Sequence, residues 1–165
     1  PEDMHHTISV LVVNQSGVLS RISGLFSGRG FNIESLNVAE TNDPGISRMT
    51  IITTGDDKKI EQVTKQLNKL IDVIKVTDLT DEHFVDRELI LVKMNAEARV
   101  REEILRIVDI FRAKVIDVNP DTYTVEITGD EGKTKGFLDL LKPLGIKEVV
   151  RSGRIAISRG IKPIN

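Results

Sequence analysis

The sequence predicts an α+β protein made of two small units that share one order of elements, β-α-β-β-α-β. Two observations support this fold class. Short segments in which apolar residues alternate are separated by segments in which apolar residues recur every three or four positions. This order occurs twice within the 165 residues of the chain, a length that allows one ordinary domain or two small ones.

The first unit opens with a strand and a helix. Residues 7–13, TISVLVV, alternate apolar and polar side chains and predict a strand. A helix follows, because apolar residues then recur at helical spacing, and Gly28 and Gly30 predict its end. The residues of this apolar helix face are Val18, Leu19, Ile22, Leu25 and Phe26.

A hairpin, a second helix and a last strand complete the first unit. Strands are predicted at 31–41 and 46–54, on either side of an Asn-Asp-Pro-Gly turn whose Pro-Gly pair fits type II. The second helix begins near Asp56, and residues 71–79 form the closing strand. The apolar face of the second helix contains Ile60, Val63, Leu67 and Leu70.

The second unit repeats the order with little residue identity. Strands are predicted at 87–94, 114–118, 123–128 and 146–158, and a helix weakened by two glycines at 131–142. The helix between the first two strands has an apolar face formed by Val100, Ile104, Ile107, Val108 and Phe111.

Both orders match the split βαβ arrangement of the ferredoxin-like fold. We therefore predict two ferredoxin-like domains, residues 1–79 and residues 80–165, joined through the polar segment TDEHFVDR at 80–87. Each domain is small, and one-sided sheets of this kind gain stability by joining the sheet of a partner. A homodimer is therefore expected.

Composition excludes several classes of function. The net charge of −2 gives no basic excess for nucleic acid or an anionic membrane, and the chain has no cysteine for thiolate metal sites or nucleophiles. No apolar run is long enough to cross a bilayer, and no signal segment opens the chain, so a cytoplasmic protein is expected. RNA-recognition modules stack bases on strand aromatics, whereas the only tyrosine here is Tyr123.

The titratable residues indicate no catalytic site and no metal site. His5 and His6 are expected in a frayed terminus and His83 in the linker, away from any serine–carboxylate arrangement. The paired acids, such as Asp56 and Asp57, suit a helix N-terminus or a solvated surface. The sequence therefore predicts that the isolated chain is not an enzyme.

One glycine stands at the corner between the first strand and the first helix. Gly17 alone matches neither the G-x-G-x-x-G fingerprint nor a P-loop, so a phosphate loop is not expected. It does permit positive φ and close ligand approach, and the N–H groups of residues 17–19 favour a carboxylate. Asn14 ends the preceding strand and Asn32 starts the next one, and both offer amide groups to a polar ligand. A helix capped by Ser16 at a tight corner explains the same residues, and both interpretations remain open.

Three longer segments resemble a known family. They are NQSGVLSRISGLFSGRGFNIESLNVAETNDPGISRMTI, HFVDRELILVK and RSGRIAISRG, which begin at Asn14, His83 and Arg151. Together they closely resemble the small regulatory subunit of acetolactate synthase, with a likeness that extends from about Thr7 to Gly160. The first half resembles an ACT domain, which binds amino acids at subunit interfaces, and the second half the family's own ferredoxin-like domain.

The resemblance implies a regulatory function. In the family, the small subunit is not catalytic and carries no cofactor. It activates a large subunit that uses thiamine diphosphate, Mg²⁺ and FAD to make acetolactate from pyruvate in branched-chain amino acid synthesis, and it confers feedback inhibition by valine. The alternative is a stand-alone amino-acid sensor without a synthase partner.

The resemblance also implies a binding site at the interface of a dimer. In the family, valine lies between two ACT domains, where the strand-to-helix loop of one chain faces the start of the second strand of the other. Some relatives have alanine where this chain has Val18, a change expected to reduce pocket volume. Carried onto this sequence, the expected valine-binding residues are Asn14, Ser16, Gly17, Val18, Leu19, Asn32 and Ile33.

Overall fold

A computed structural model describes residues 4–160 of the chain. Its contacts divide the chain into two compact units. The first contains the chain up to Val85 together with the segment from Arg154 onward, and the second contains Asp86–Gly153. The predicted order of elements, β-α-β-β-α-β, is found in both units, so the two ferredoxin-like folds are confirmed.

The first unit is a four-stranded antiparallel sheet with two helices. The strand order is β2-β3-β1-β4, the order of a ferredoxin-like sheet, with β2 and β4 at the edges. Its elements are β1 (Met4–Val13), α1 (Val18–Gly28), β2 (Asn32–Glu40), β3 (Ile46–Gly55), α2 (Asp57–Asn68) and β4 (Val73–Asp78).

The second unit has the equivalent sheet order, β6-β7-β5-β8. Its helices bury one apolar face each, and Phe137 and Leu141 of the second helix are fully buried. The elements of the second unit are β5 (Phe84–Asn95), α3 (Ala98–Ile110), β6 (Lys114–Val118), β7 (Thr122–Gly129), α4 (Glu131–Gly145) and β8 (Ile146–Arg151). A last strand, β9 (Ile155–Ser158), follows in the first unit.

The prediction of a single last strand at 146–158 is wrong. Gly153 has φ 84°, a left-handed conformation that ends β8, and the chain resumes as β9. The segment after the break belongs to the first unit. There the Arg154 N–H donates to Ser35 Oγ at 2.9 Å, and Asn37 Nδ2 donates to the Arg154 carbonyl at 3.2 Å.

The type II turn predicted between β2 and β3 is also wrong. Type II requires positive φ at its third residue, and Gly45 is not among the glycines with positive φ. Instead the Ile46 N–H donates to the Asp43 carbonyl at 3.0 Å, and Asp43 Oδ1 accepts from the Gly45 N–H at 2.9 Å. The aspartate side chain thus stabilises a type I turn, in which glycine needs no special conformation.

The N-terminal histidines are ordered in β1 and not frayed. His6 is 4% exposed, because its ring lies between two carboxylates from other elements. Nδ1 is 3.2 Å from Asp78 Oδ2 on β4, and Nε2 is 3.4 Å from Asp57 Oδ1 at the start of α2. Through Nδ1, His6 therefore links β1 to the edge strand β4, whereas Nε2 has no hydrogen-bond partner among the described residues.

The core of the first unit lies between its sheet and its two helices. Ile8 and Val10 of β1 and Met49 of β3 face the helices and are fully buried. Phe26 of α1 is 0% exposed and contacts Phe31 edge to face, with the ring centroids 6.1 Å apart. This packing holds α1 against the sheet.

We expect Phe26→Ala to lower the free energy of unfolding by about 3–5 kcal/mol, since it leaves a cavity where a whole ring is buried. Urea denaturation followed by circular dichroism measures the change. Ile71→Ala is the matched control, because Ile71 is 96% exposed and its truncation should change stability by at most about 0.5 kcal/mol. Equal effects of the two substitutions would contradict this account of the core.

Candidate functional site

The candidate site begins at the corner between β1 and α1. Gly17 is the N-cap residue of α1 and has φ 85°, so the positive φ that its residue type permits is realised. No side chain caps this helix, so the alternative in which Ser16 acts as the cap is not observed; Ser16 is exposed in the preceding turn. The corner is left open for an external acceptor.

The first turn of α1 presents free backbone donors. In an α-helix the first N–H groups have no carbonyl one turn earlier to bond. Here the Arg21 N–H reaches the Gly17 carbonyl at 3.1 Å, and within residues 4–160 no acceptor is bonded to the N–H groups of Val18, Leu19 or Ser20. These donors and the positive end of the helix dipole favour an anion.

Asn14 lies at the end of β1 with its amide held in one orientation. Its Nδ2 donates to the Pro44 carbonyl at 3.0 Å and to Glu40 Oε1 at 3.3 Å, and its backbone N–H donates to the Gly45 carbonyl at 2.9 Å. The side-chain nitrogen is thus used within the chain. Oδ1 accepts no bond from the described residues, which leaves it free to accept from a ligand.

The two apolar residues of the corner have different surroundings. Val18 is 4% exposed and packs in the core beside Ile22, so its side chain points away from the surface. Only its backbone N–H remains at the corner. Leu19 is 45% exposed and is therefore the apolar side chain that a ligand at the N-terminus of α1 would meet.

The other predicted residues lie at the start of β2. Asn32 is exposed, and its carbonyl accepts from Thr53 Oγ1 at 2.7 Å. Ile33 is half-buried against the core of the first unit. No hydrogen bond of the Asn32 side chain to another described residue is found, so its amide is free to bind outside the chain.

One chain does not bring the two groups of predicted residues together. Asn32 pairs with Thr54 near one end of β3, whereas Val13, which precedes Asn14, pairs with Ile46 at the other end. From 46 to 54 a strand extends by about 27 Å at its usual rise per residue. The corner and the start of β2 are therefore at opposite ends of the same sheet.

Two residues near the corner were not found from the sequence. Arg21 lies one helical turn after Gly17, and its guanidinium bonds the carboxylate of Asp72. Glu40 approaches Asn14 from the end of β2. The one-turn spacing from Gly17 was the available signal for Arg21, whereas the contact of Glu40 depends on the strand register.

Between residues 4 and 160 no group of three or more His, Asp or Glu side chains is arranged to hold a metal ion. No helix in the same range is long and apolar enough to span a membrane.

Comparisons with known proteins agree over both units. A model described as "AHAS small subunit-like ACT domain" matches residues 8–75, and one described as "Small subunit of acetolactate synthase" matches residues 87–160. The acetolactate synthase small subunit of Aquifex aeolicus is 57% identical over 93% of this chain and 81% of its own length. The probable acetolactate synthase small subunit of Archaeoglobus fulgidus is 53% identical over 96% of this chain and 99% of its own length.

A solved structure gives the same result. The crystal structure of the acetolactate synthase small subunit from Thermotoga maritima superposes with a TM-score of 0.87 at 41% identity, covering 96% of this chain and 99% of that one. These three relatives are small subunits, in agreement with the prediction of a non-catalytic chain. The chain therefore belongs to the acetolactate synthase small-subunit family, with an ACT domain in its first half.

Proposed function

We propose that this chain is the regulatory subunit of a cytoplasmic acetolactate synthase. It activates a large catalytic subunit that holds thiamine diphosphate, Mg²⁺ and FAD, and it confers feedback inhibition by valine. Residues 1–79 serve as the amino-acid-binding and dimerising ACT domain, and residues 80–165 as the C-terminal regulatory domain. Membership of the small-subunit family over both units supports the proposal.

The chemistry of the corner suits a free amino acid. The carboxylate of valine is held by the N–H groups of the first turn of α1, next to Gly17. The ammonium group is bound by Asn14 Oδ1, whose orientation is fixed by the bonds of Nδ2 to Pro44 and Glu40. The isopropyl group packs on the exposed side of Leu19.

A second copy of the chain completes this site. The observation that favours it is the register of the sheet, in which Asn14 and Asn32 lie at opposite ends. The edge strand β2 runs from Asn32 to Glu40, and Asn14 contacts Glu40. If the β2 strands of two copies are antiparallel about a two-fold axis, Asn32 of one copy faces the Glu40 end of the other.

Two identical valine sites then form across the dimer. The Asn14–Leu19 corner of each copy meets Asn32 and Ile33 of the other copy. Valine bound there connects the two chains, so it stabilises the dimer by mass action. Inhibition follows when the valine-bound dimer and the free dimer engage the catalytic subunit with different affinity or geometry.

We expect valine to bind the purified chain and to increase its thermal stability. At a free concentration of 100 times Kd, each site adds about 2.7 kcal/mol to the stability of the bound form. Calorimetry with valine, leucine and isoleucine measures the preference among them, and sedimentation at two protein concentrations measures dimerisation. Absence of heat and of any stabilisation with all three amino acids would contradict the proposed site.

The regulatory role is tested with the catalytic subunit. We expect the large subunit to form more acetolactate when this chain is added, and valine to reverse the gain. A stand-alone sensor would bind valine equally well but would neither co-purify with the catalytic subunit nor change its rate. Co-purification and the rate of acetolactate formation therefore distinguish the two functions.

A further inference from the structure

A guanidinium group lies over the candidate ligand corner. Arg21 is in the second turn of α1, where helical side chains lean back toward the N-terminus. Its Nη1 is 3.7 Å from the position that a Cβ atom would occupy at Gly17. The side chain of Arg21 is 52% exposed, so a ligand can reach it from solvent.

The position of this guanidinium is fixed from one side only. Nη2 donates to the carboxylate of Asp72, whose side chain is 13% exposed. The backbone carbonyl of Asp72 also accepts from the Val13 N–H at 2.8 Å, so the same residue fixes the end of β1. No acceptor among residues 4–160 bonds Nη1, which leaves one edge of the planar group free above Gly17.

We infer that Arg21 is a further ligand-binding residue of the proposed amino-acid site, and that it restricts the effector to molecules with a free α-carboxylate. This inference rests on the proposed function. Nη1 of Arg21 and the N–H groups of the first helical turn converge on the space beside Gly17. The backbone N–H groups alone can donate to any polar oxygen, whereas the full positive charge of the guanidinium favours an anionic one.

A purely structural role for Arg21 predicts a different outcome. Its ion pair with Asp72 is largely open to solvent on the arginine side, and such pairs contribute little to folding stability. Under that role, removing the guanidinium would affect all ligands of the corner alike, through a displaced loop. Under the role inferred here, the loss depends on the charge of the ligand.

The test compares two ligands on four forms of the full chain. Valine has a carboxylate, and valinamide has the same side chain and ammonium group but a neutral amide. Calorimetry measures both ligands on the wild type, Arg21→Gln, Arg21→Lys and the control Arg106→Gln. Arg106 pairs with Glu103 at 3.3 Å on α3, so the control removes an exposed, ion-paired arginine elsewhere. Thermal unfolding of each form shows whether folding is retained.

We expect the wild type to prefer valine to valinamide by at least about tenfold, since hydrogen bonds between charged groups are the stronger ones. Arg21→Gln should weaken valine binding by about 10- to 100-fold and remove most of this preference. Arg21→Lys should recover part of the loss, because the charge is kept while the planar geometry is not. Arg106→Gln should bind both ligands as the wild type does.

Two results would overturn the inference while leaving the proposed function intact. One is wild-type affinity for valine in Arg21→Gln. The other is an equal loss for valine and valinamide, which identifies a structural role. If valinamide binds too weakly to measure in every form, the valine affinities alone test the inference. An Arg21→Lys variant that binds valine no better than Arg21→Gln would then reject it. If the wild type binds neither ligand, the proposed valine site is rejected, together with the role of Arg21 that depends on it.

Discussion

We expect Gly17→Asp to abolish valine binding while the chain remains folded. The side chain enters the space where the first turn of α1 presents its free N–H groups, and it places a second carboxylate beside that of valine. Two like charges about 4 Å apart near a protein surface repel by about 4 kcal/mol, which corresponds to a loss of about 1,000-fold in affinity. Calorimetry with valine measures it.

The fold should tolerate this substitution. A Cβ atom at Gly17 would meet only Arg21 Nη1, at an ordinary contact distance of 3.7 Å. The left-handed conformation costs a side chain about 1–2 kcal/mol, less for aspartate and asparagine than for other residues. The introduced carboxylate is also attracted to the free edge of the Arg21 guanidinium, where it competes directly with the ligand. Loss of binding therefore does not require unfolding.

Gly17→Asn is the matched control for charge. Asparagine has the size of aspartate and adopts the same left-handed conformation, but it is neutral. It should weaken valine binding less than aspartate does, through bulk alone. Normal valine binding by Gly17→Asp would reject the assignment of the site. Equal loss in both variants would reject the electrostatic explanation and leave bulk as the cause.

Local sequence patterns were sufficient to predict the order of the elements. Strand alternation and helical spacing indicate which residues face a core, as Ile22 and Phe26 do in α1, because these periods depend only on backbone geometry. The end of α1 was also predictable, because glycine readily adopts the left-handed conformation that ends many helices. Gly30 takes φ 76°, and the Phe31 N–H bonds the Phe26 carbonyl at 3.0 Å, as in a Schellman motif.

Errors arose where a contact between distant residues overrides the local pattern. The ring of His6 is buried against Asp78, which lies on β4 and is 72 residues away. The break after β8 leads to a segment held by Ser35, which is 119 residues from Arg154. Such pairings follow from the tertiary fold and leave no periodic signal.

In the candidate site, too, local features were predictable from the sequence and contacts between distant residues were not. The residue type of Gly17 was sufficient to indicate a backbone conformation that the structure contains. The free Oδ1 of Asn14 depends on Pro44 and Glu40, and the position of Arg21 depends on Asp72, so neither could be derived from the corner alone. The strand register places Asn14 and Asn32 at opposite ends of one sheet.

We expect two inactive variants to restore valine binding when they are mixed. Asn14→Ala and Asn32→Ala should each bind valine weakly, because every site in either homodimer lacks one amide. After subunit exchange, half of the dimers contain one chain of each kind. One of the two sites in such a dimer combines an intact Asn14 with an intact Asn32, and the other lacks both. Titration should therefore find about a quarter of the sites at wild-type affinity.

The control places both substitutions on one chain and mixes that chain with the wild type. If each site is shared between chains, the mixed dimers contain no intact site, and about a quarter of all sites, those of the wild-type homodimers, bind normally. If each site lay within one chain, this mixture would keep about half of its sites and the first mixture none. The span of about 27 Å between Asn14 and Asn32 makes the shared site the expected result.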